Sequence, residues 1–294
     1  MRLLDRFGPA LGQARVEYRG GVSLRAGRAL GGLSGVLVSG TTLLAASDTG
    51  RWFAATMILE AGRLTGIEGA RLWRRRGLDG EPIRDKVPGD AEALARAPGG
   101  VDLFVESTRQ LLTYPADGLE IAPDAVPERR ALPAGLQEAS RRGVEAIARL
   151  PNGALFVVVE SRNGTGSTLP AFLLPGGELT VQRHDGFAIT GASALPGGDM
   201  ILVERRYGGG LDVRMRVRRI GADGLIPGGL ADGPTLLDAG LSAEIDNMEA
   251  VAAEVVDGEI ILTLLSDDNH SFWQRTLVLR FAVSDPLPMP NPRR

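Results

Sequence analysis

The feature that most constrains this chain is a unit that returns along it. An apolar strand is followed by a turn and a second apolar strand, which closes on an acid. Ala91-Glu92-Ala93-Leu94-Ala95 precedes Leu103-Phe104-Val105-Glu106, and Val144-Glu145-Ala146-Ile147-Ala148 precedes Phe156-Val157-Val158-Val159-Glu160. Leu33-Ser34-Gly35-Val36 leads to Asp48, Ile189-Thr190-Gly191-Ala192 to Glu204, and Met248-Glu249-Ala250-Val251-Ala252 to Asp267. The turns Pro98-Gly99-Gly100, Pro151-Asn152-Gly153, Pro196-Gly197-Gly198 and Asp257-Gly258 carry hairpin chemistry.

The unit starts, Ser34, Glu92, Glu145, Thr190 and Glu249, stand roughly 45 to 59 residues apart, close to the about 40–50 residues of a four-stranded propeller blade. Third and fourth strands are expected after each hairpin, for example at 111–114, 171–174, 213–220 and 275–283. The predicted fold is all-β: a single β-propeller with five blades counted. Residues 73–87 leave room for a sixth. The β-like segment 16–25 is expected to complete the last blade, which removes an exposed sheet edge. A β-sandwich explains short strands equally well, but gives no reason for an acid at the same place in each unit.

Composition agrees with a turn-rich chain: among 294 residues there are 40 Gly and 18 Pro. One helix-like stretch, 136–149, has a second half that reads equally as a strand. The domain is placed at 14–284, with a flexible Pro-rich tail at 285–294. There is no Cys, which excludes disulfides and thiolate sites, and His184 and His270 are the only histidines, so a multi-histidine metal centre is not expected. The net charge is −3 and no basic run exceeds Arg74-Arg75-Arg76, which argues against nucleic acid. No apolar run reaches the length of a membrane span. The first thirty residues do not form an export signal. A periplasmic or secreted location is expected if such a signal precedes this sequence, and a cytoplasmic one otherwise. A monomer is expected.

In a hairpin, the start of the first strand and the end of the second share one end. The repeated polar positions therefore point to one mouth of the central channel. Nine carboxylates gather there: Asp48, Glu92, Glu106, Glu145, Glu160, Glu204, Glu249, Asp267 and Asp268. Their repulsion must be relieved by a hard cation, by Arg partners or by protonation. The cation route favours calcium, whose all-oxygen shell tolerates irregular geometry. Its candidate ligands are Asp48, Glu92, Glu145, Glu204, Asn247, Asp267, Asp268 and Asn269. The Arg route is visible too. Arg51, Arg109, Arg162, Arg205 and Arg206 follow repeat acids, and Arg142 precedes Glu145; of these, Arg51, Arg142 and Arg205 are the candidates to hold an anionic substrate. Each acid has a structural alternative, bonding the backbone of the neighbouring blade. Asp267-Asp268-Asn269 looks least structural, because adjacent acids have no obvious use at a packed strand end.

The same residues carry a family resemblance. Asn247-Met248-Glu249-Ala250-Val251-Ala252 followed by Ser266-Asp267-Asp268-Asn269 resembles the closing signature of the bacterial "esterase-like activity of phytase" family, or phytase-like domain proteins. Gly32-Leu33-Ser34-Gly35 with Asp48, Asp90-Ala91-Glu92-Ala93-Leu94-Ala95 with Glu106, Gly143-Val144-Glu145-Ala146-Ile147-Ala148 with Glu160, and Leu202-Val203-Glu204-Arg205 match in family order. Two departures stand out. The usual Glu-Gly is Glu-Ala at Glu92, Glu145 and Glu249, and Arg141-Arg142 replaces an Asn before the third unit. The resemblance implies an exported β-propeller and phosphoester hydrolysis. On that basis the expected activity is that of a calcium-dependent phosphoric-ester hydrolase acting on a small anionic substrate, with Glu106, Glu160 or Glu249 as general base. The alternative is a non-catalytic propeller that binds a ligand or partner, its acid ring being structural.

Overall fold

Among the described residues, short apolar runs become strands that assemble into five four-stranded antiparallel meanders, the first two strands of each joined by a short hairpin. The computed structural model describes residues 1–8, 15–25, 30–160, 166–209 and 212–284; Arg162 and the Pro-rich tail lie outside the described residues. Blade 1 runs through Leu33–Ser39, Thr42–Ser47, Arg51–Glu60 and Arg63–Arg74. Blade 2 comprises Ala91–Ala97, Gly100–Val105, Gln110–Pro115 and Glu128–Arg130. Blade 3 comprises Val144–Arg149, Leu155–Val159, Thr168–Leu174 and Gly177–Gln182. Blade 4 comprises Ala188–Ala194, Met200–Tyr207, Val213–Ile220 and Thr235–Gly240. Blade 5 takes Asn247–Val256, Glu259–Asp267 and Thr276–Ser284. Its fourth strand is Arg15–Leu24, which pairs antiparallel with Thr276–Ser284 as the sequence predicts.

Closure of the circle is visible in the packing. The first strands of blades 1 to 5 contact one another in cyclic order, blade 5 returning to blade 1. Five buried apolar clusters fill the spaces between consecutive sheets. One example joins Phe104 and Leu111 of blade 2 to Ile147 and Val157 of blade 3. Another joins Val36 and Leu43 of blade 1 to Leu265 and Val278 of blade 5. Each sheet thus buries both faces, and this shared burial is the main source of stability.

The inner strands approach closely at one layer, and the sequence provides for it. Gly35, Ala93, Ala146, Gly191 and Ala250 occupy it. A Cβ on Gly191 would stand 3.0 Å from Ala250 Cα, and one on Gly35 would stand 2.8 Å from Leu94 Cγ. The axial channel there keeps about 10 Å³ of free space, roughly the room for one water.

Two expectations are revised. The packed unit begins before residue 14: Arg2–Leu4 pairs with the closing strand, and Leu4 and Phe7 are buried, Phe7 lying edge-on to Phe281. Residues 75–90 do not form a sixth blade. They cross from the outer edge of blade 1 to the inner strand of blade 2, ending in the short helix Lys86–Gly89. Arg75 pins this crossing. It is fully buried, lies 5.8 Å from the Trp52 ring centroid and donates to the carbonyl of Gly89. The stretch predicted as helix or strand is both in turn: a helix at Ala134–Ala139, a 3-10 turn at Ser140–Arg142 and the strand Val144–Arg149.

Candidate functional site

Each inner strand opens with the same defect. The ladder skips one residue between Leu33 and Gly35, Ala91 and Ala93, Val144 and Ala146, Ile189 and Gly191, and Met248 and Ala250. The extra residues are Ser34, Glu92, Glu145, Thr190 and Glu249, the five repeat positions of the sequence. A bulge leaves its extra residue outside the ladder and re-aims its side chain. Five bulges in one ring explain why polar residues stand at the starts of strands that are otherwise apolar. Two of them bond backbone: Thr190 Oγ1 donates to Met248 O of the next blade at 2.8 Å, and Ser34 Oγ to Gly32 O at 3.4 Å.

The ends of the second strands form the second tier. Asp48, Glu106 and Glu160 donate their backbone N–H to Gly32, Asp90 and Gly143 at 2.7, 2.9 and 3.1 Å. The same register places Arg205 opposite Ala188 in blade 4 and Asp267 opposite Asn247 in blade 5. The tier therefore reads Asp48, Glu106, Glu160, Arg205, Asp267. Glu204 does not belong to it. It lies one residue earlier, opposite Ile189, and a one-residue step turns a strand side chain to the other face. Glu204 is fully buried against Arg218, with Oε1 accepting from Nε at 2.9 Å and from Nη2 at 2.6 Å. Burial pushes its carboxyl up and Arg218 pulls it down.

Blades 2 and 3 hold the densest group of carboxyls. Gly143 adopts φ 100°, and a Cβ there would stand 3.0 Å from Glu106 Oε1, 3.4 Å from Glu145 Oε1 and 3.8 Å from Glu160 Oε2. Only a glycine leaves this space open. Burial, then Glu160, Glu106 and Glu249, raises Glu145 to about 8, against the pull of Arg205. Burial, then Glu106, Glu145 and Glu249, raises Glu92 to about 9. Glu106 is raised by burial, Asp90 and Glu160. Glu92 and Glu145 accordingly keep their protons at neutral pH, so the mouth relieves its repulsion on this side by protonation.

The other side uses partners. Arg205 Nη1 pairs with Glu249. Lys86 Nζ lies 3.0 Å from Asp48 Oδ2 and 3.7 Å from Asp90 Oδ1, and His270 Nε2 lies 3.3 Å from Asp48 Oδ1. The Asp267-Asp268-Asn269 run has a local use after all. Asp267 Oδ1 accepts from Asn269 N at 2.9 Å, Asp268 Oδ1 from His270 N at 3.0 Å and Asp268 Oδ2 from Thr276 Oγ1 at 3.1 Å. These are Asx turns that tie down a tight loop. Asn269 Nδ2 points away, to Gln274 Oε1 at 3.0 Å. Asp267, buried beside Asp48 and Asp268, is pushed up to about 6.

Of the three arginines proposed for substrate, Arg205 alone is brought to an acid of the mouth. Arg51 stands in register with Arg74, and Arg142 Nε donates to Ala139 O at 3.4 Å. Sequence reasoning did not pick out Asp90, Lys86 and Gly143. Two signals pointed to them: Lys86 is the only lysine in the chain, and Asp90 and Gly143 each stand two residues before a repeat glutamate.

Calcium can be tested against these oxygens. Their chemistry suits a hard cation. Among the described residues no three His, Asp or Glu side chains converge closely enough to hold a metal ion. The arrangement as it stands does not fit calcium, and no chemical step is derived through it. No described helix is long and apolar enough to cross a membrane.

A family model described as "Phytase-like: Esterase-like activity of phytase" matches residues 28–270. No curated protein matches the chain. Among solved structures, an aldose sugar dehydrogenase from Streptomyces coelicolor is similar at 13% identity and a TM-score of 0.48, covering 93% of this chain and 100% of that one. A glutaminyl cyclase from Myxococcus xanthus is similar at 12% and 0.45, covering 90% and 97%. An α-L-arabinofuranosidase from Podospora anserina is similar at 12% and 0.45, covering 90% and 95%. At these scores the likeness carries no argument about chemistry.

Proposed function

This chain belongs to the phytase-like family, described as esterase-like activity of phytase, and from that premise we propose that it hydrolyses an ester by general acid–base catalysis between carboxyl groups of blades 2 and 3. The observation that carries this reading is the cradle at Gly143. One of its three carboxyls, Glu145, is raised to about 8 and holds a proton at neutral pH. Divergent environments for neighbouring carboxyls are how one site supplies an acid and a base together.

Glu145 is assigned as the acid and Glu160 as the base, with Glu106 beside them. A water in the space above Gly143 gives its proton to Glu160 as its oxygen attacks the ester centre. The bond to the leaving oxygen breaks, and Glu145 supplies the proton which that oxygen takes up. The finer assignment is a phosphoric ester. A phosphoryl group carries negative charge, and protonated Glu92 and Glu145 reduce the charge it meets.

The test is turnover of aryl phosphates and aryl acetates by the purified protein, with and without chelator. Turnover that survives the chelator, falls at least a hundredfold in Glu145→Gln and in Glu160→Gln, and declines above about pH 8 as Glu145 loses its proton is expected. Absence of turnover on both ester classes would sink the reading.

A further inference from the structure

Two tight turns build the carboxyl cradle. Arg109 N donates to Glu106 O at 2.9 Å in one, and Gly143 N to Ser140 O at 3.2 Å in the other. Glu106 and Gly143 belong to the cradle. The rest of both turns, Thr108, Arg109, Ser140 and Arg141, lines a separate cleft of about 440 Å³ between blades 2 and 3. Its far wall carries Arg129 and Arg130, from the outer strand of blade 2.

Four arginines, Arg109, Arg129, Arg130 and Arg141, line this cleft against one carboxylate, Glu138. Arg141 pairs with Glu138 at 3.0 Å. Among the described residues no carboxylate lies within ion-pair distance of Arg109, Arg129 or Arg130, and Thr108 Oγ1 has no hydrogen-bond partner. Arg109 is held at φ 53°, a conformation that side chains other than glycine rarely adopt and that clusters at functional positions. Guanidinium groups bind oxyanions through paired N–H donors. The volume falls in the range of small-molecule sites, about 300–1,000 Å³. From Arg109 to Glu106, and from Ser140 to Gly143, is three residues of chain, a reach of at most about 10 Å.

We propose that this cleft binds an oxyanion group of the substrate, phosphate or carboxylate, while the ester bond lies over the carboxyl cradle. The substrate is then an organic anion whose charged group is set apart from the bond that is cleaved. The inference rests on the acid–base reading of the cradle and adds the class of molecule that enters it. The protein separates the two parts by charge: arginines outside hold the anion, and carboxyls on the axis act on the ester.

Isothermal titration at low ionic strength, with pyrophosphate and with citrate as probes, tests it. Wild-type protein is expected to bind at least one probe with an affinity that falls as salt rises, and the stronger probe names the source of the oxyanion. Arg109→Ala combined with Arg130→Ala is expected to weaken binding at least tenfold at an unchanged melting temperature, because both side chains are exposed. The same double variant raises KM at least tenfold for an ester bearing a distant anionic group and leaves KM for a neutral ester unchanged. Failure of wild type to bind either probe, or equal binding by the double variant, overturns the inference. Ester turnover without anion binding removes the cleft and leaves the acid–base reading standing; anion binding without turnover removes that reading instead.

Discussion

Blades 2 and 3 on one side of the mouth, and blade 4 on the other, use one scaffold position in opposite ways. At the bulge and the second-strand end, blades 2 and 3 place Glu92, Glu106, Glu145 and Glu160, and Glu92 and Glu145 are pushed to about 9 and about 8. Blade 4 places Thr190 and Arg205 there, and its own acid, Glu204, is withdrawn into a buried pair with Arg218. At Glu92 and Glu145, neighbouring carboxyls add to burial in raising the group, whereas at Glu204 the Arg218 guanidinium opposes burial. The first arrangement leaves a proton available for chemistry, and the second holds two elements together.

The largest effect is expected where that pairing is broken. Arg218→Met leaves Glu204 buried and unpaired and should cost about 3–5 kcal/mol in urea unfolding. Glu204→Leu in the same chain should recover most of it. A loss under about 1 kcal/mol for Arg218→Met would erase the distinction between the two sides, since a buried carboxyl stripped of its partner must stay charged or take up a proton with its hydrogen bonds lost, and either costs more than that. Gly143→Ala should come next. It strains a backbone at φ 100° by about 1–3 kcal/mol and fills the cradle, so turnover should vanish while the fold persists.

The gentlest probe is pH. Glu92 and Glu145 retain protons in the folded chain that the unfolded chain releases near about 4.3. Between that value and about 9 the native state binds more protons, so stability falls as pH rises. Melting temperature should therefore decline from pH 5 to pH 9. Glu92→Gln should flatten the slope and raise the melting temperature at pH 9. A slope unchanged by Glu92→Gln would mean that this carboxyl is ionised in the fold, and the contrast with blade 4 would lose its basis.

Much of the architecture is legible in the chain because hairpins are local. Turn dipeptides at regular spacing, with apolar runs between them, already specify strand–turn–strand units. Repetition of a polar residue at each unit start marks one end of every sheet. The acids Glu92, Glu106, Glu145 and Glu160 could be named from this pattern alone. Blade 4 shows where the pattern misleads. Glu204 follows Thr190 by the same 14 residues that separate Glu92 from Glu106, yet Arg205 occupies the site. Spacing along the chain does not record the length of the turn between two strands, and a single residue of difference reverses the face.

The side chains that complete the mouth come from further away. Lys86 and Asp90 arrive on a crossing segment held by the buried Arg75. The arginine cleft joins two turns and an outer strand that are distant in sequence. The amino-acid order dictates the hairpins, the small residues that let five inner strands converge and the supply of acids, because each depends on neighbours a few positions apart. Tertiary structure decides which acids face one another, which meet a guanidinium and where protons stay, because carboxyl ionisation depends on burial and on charges a few ångströms away in space. The acidic ring is thus legible as a set of residues, while its division into a protonated side and an ion-paired side arises only when the circle closes.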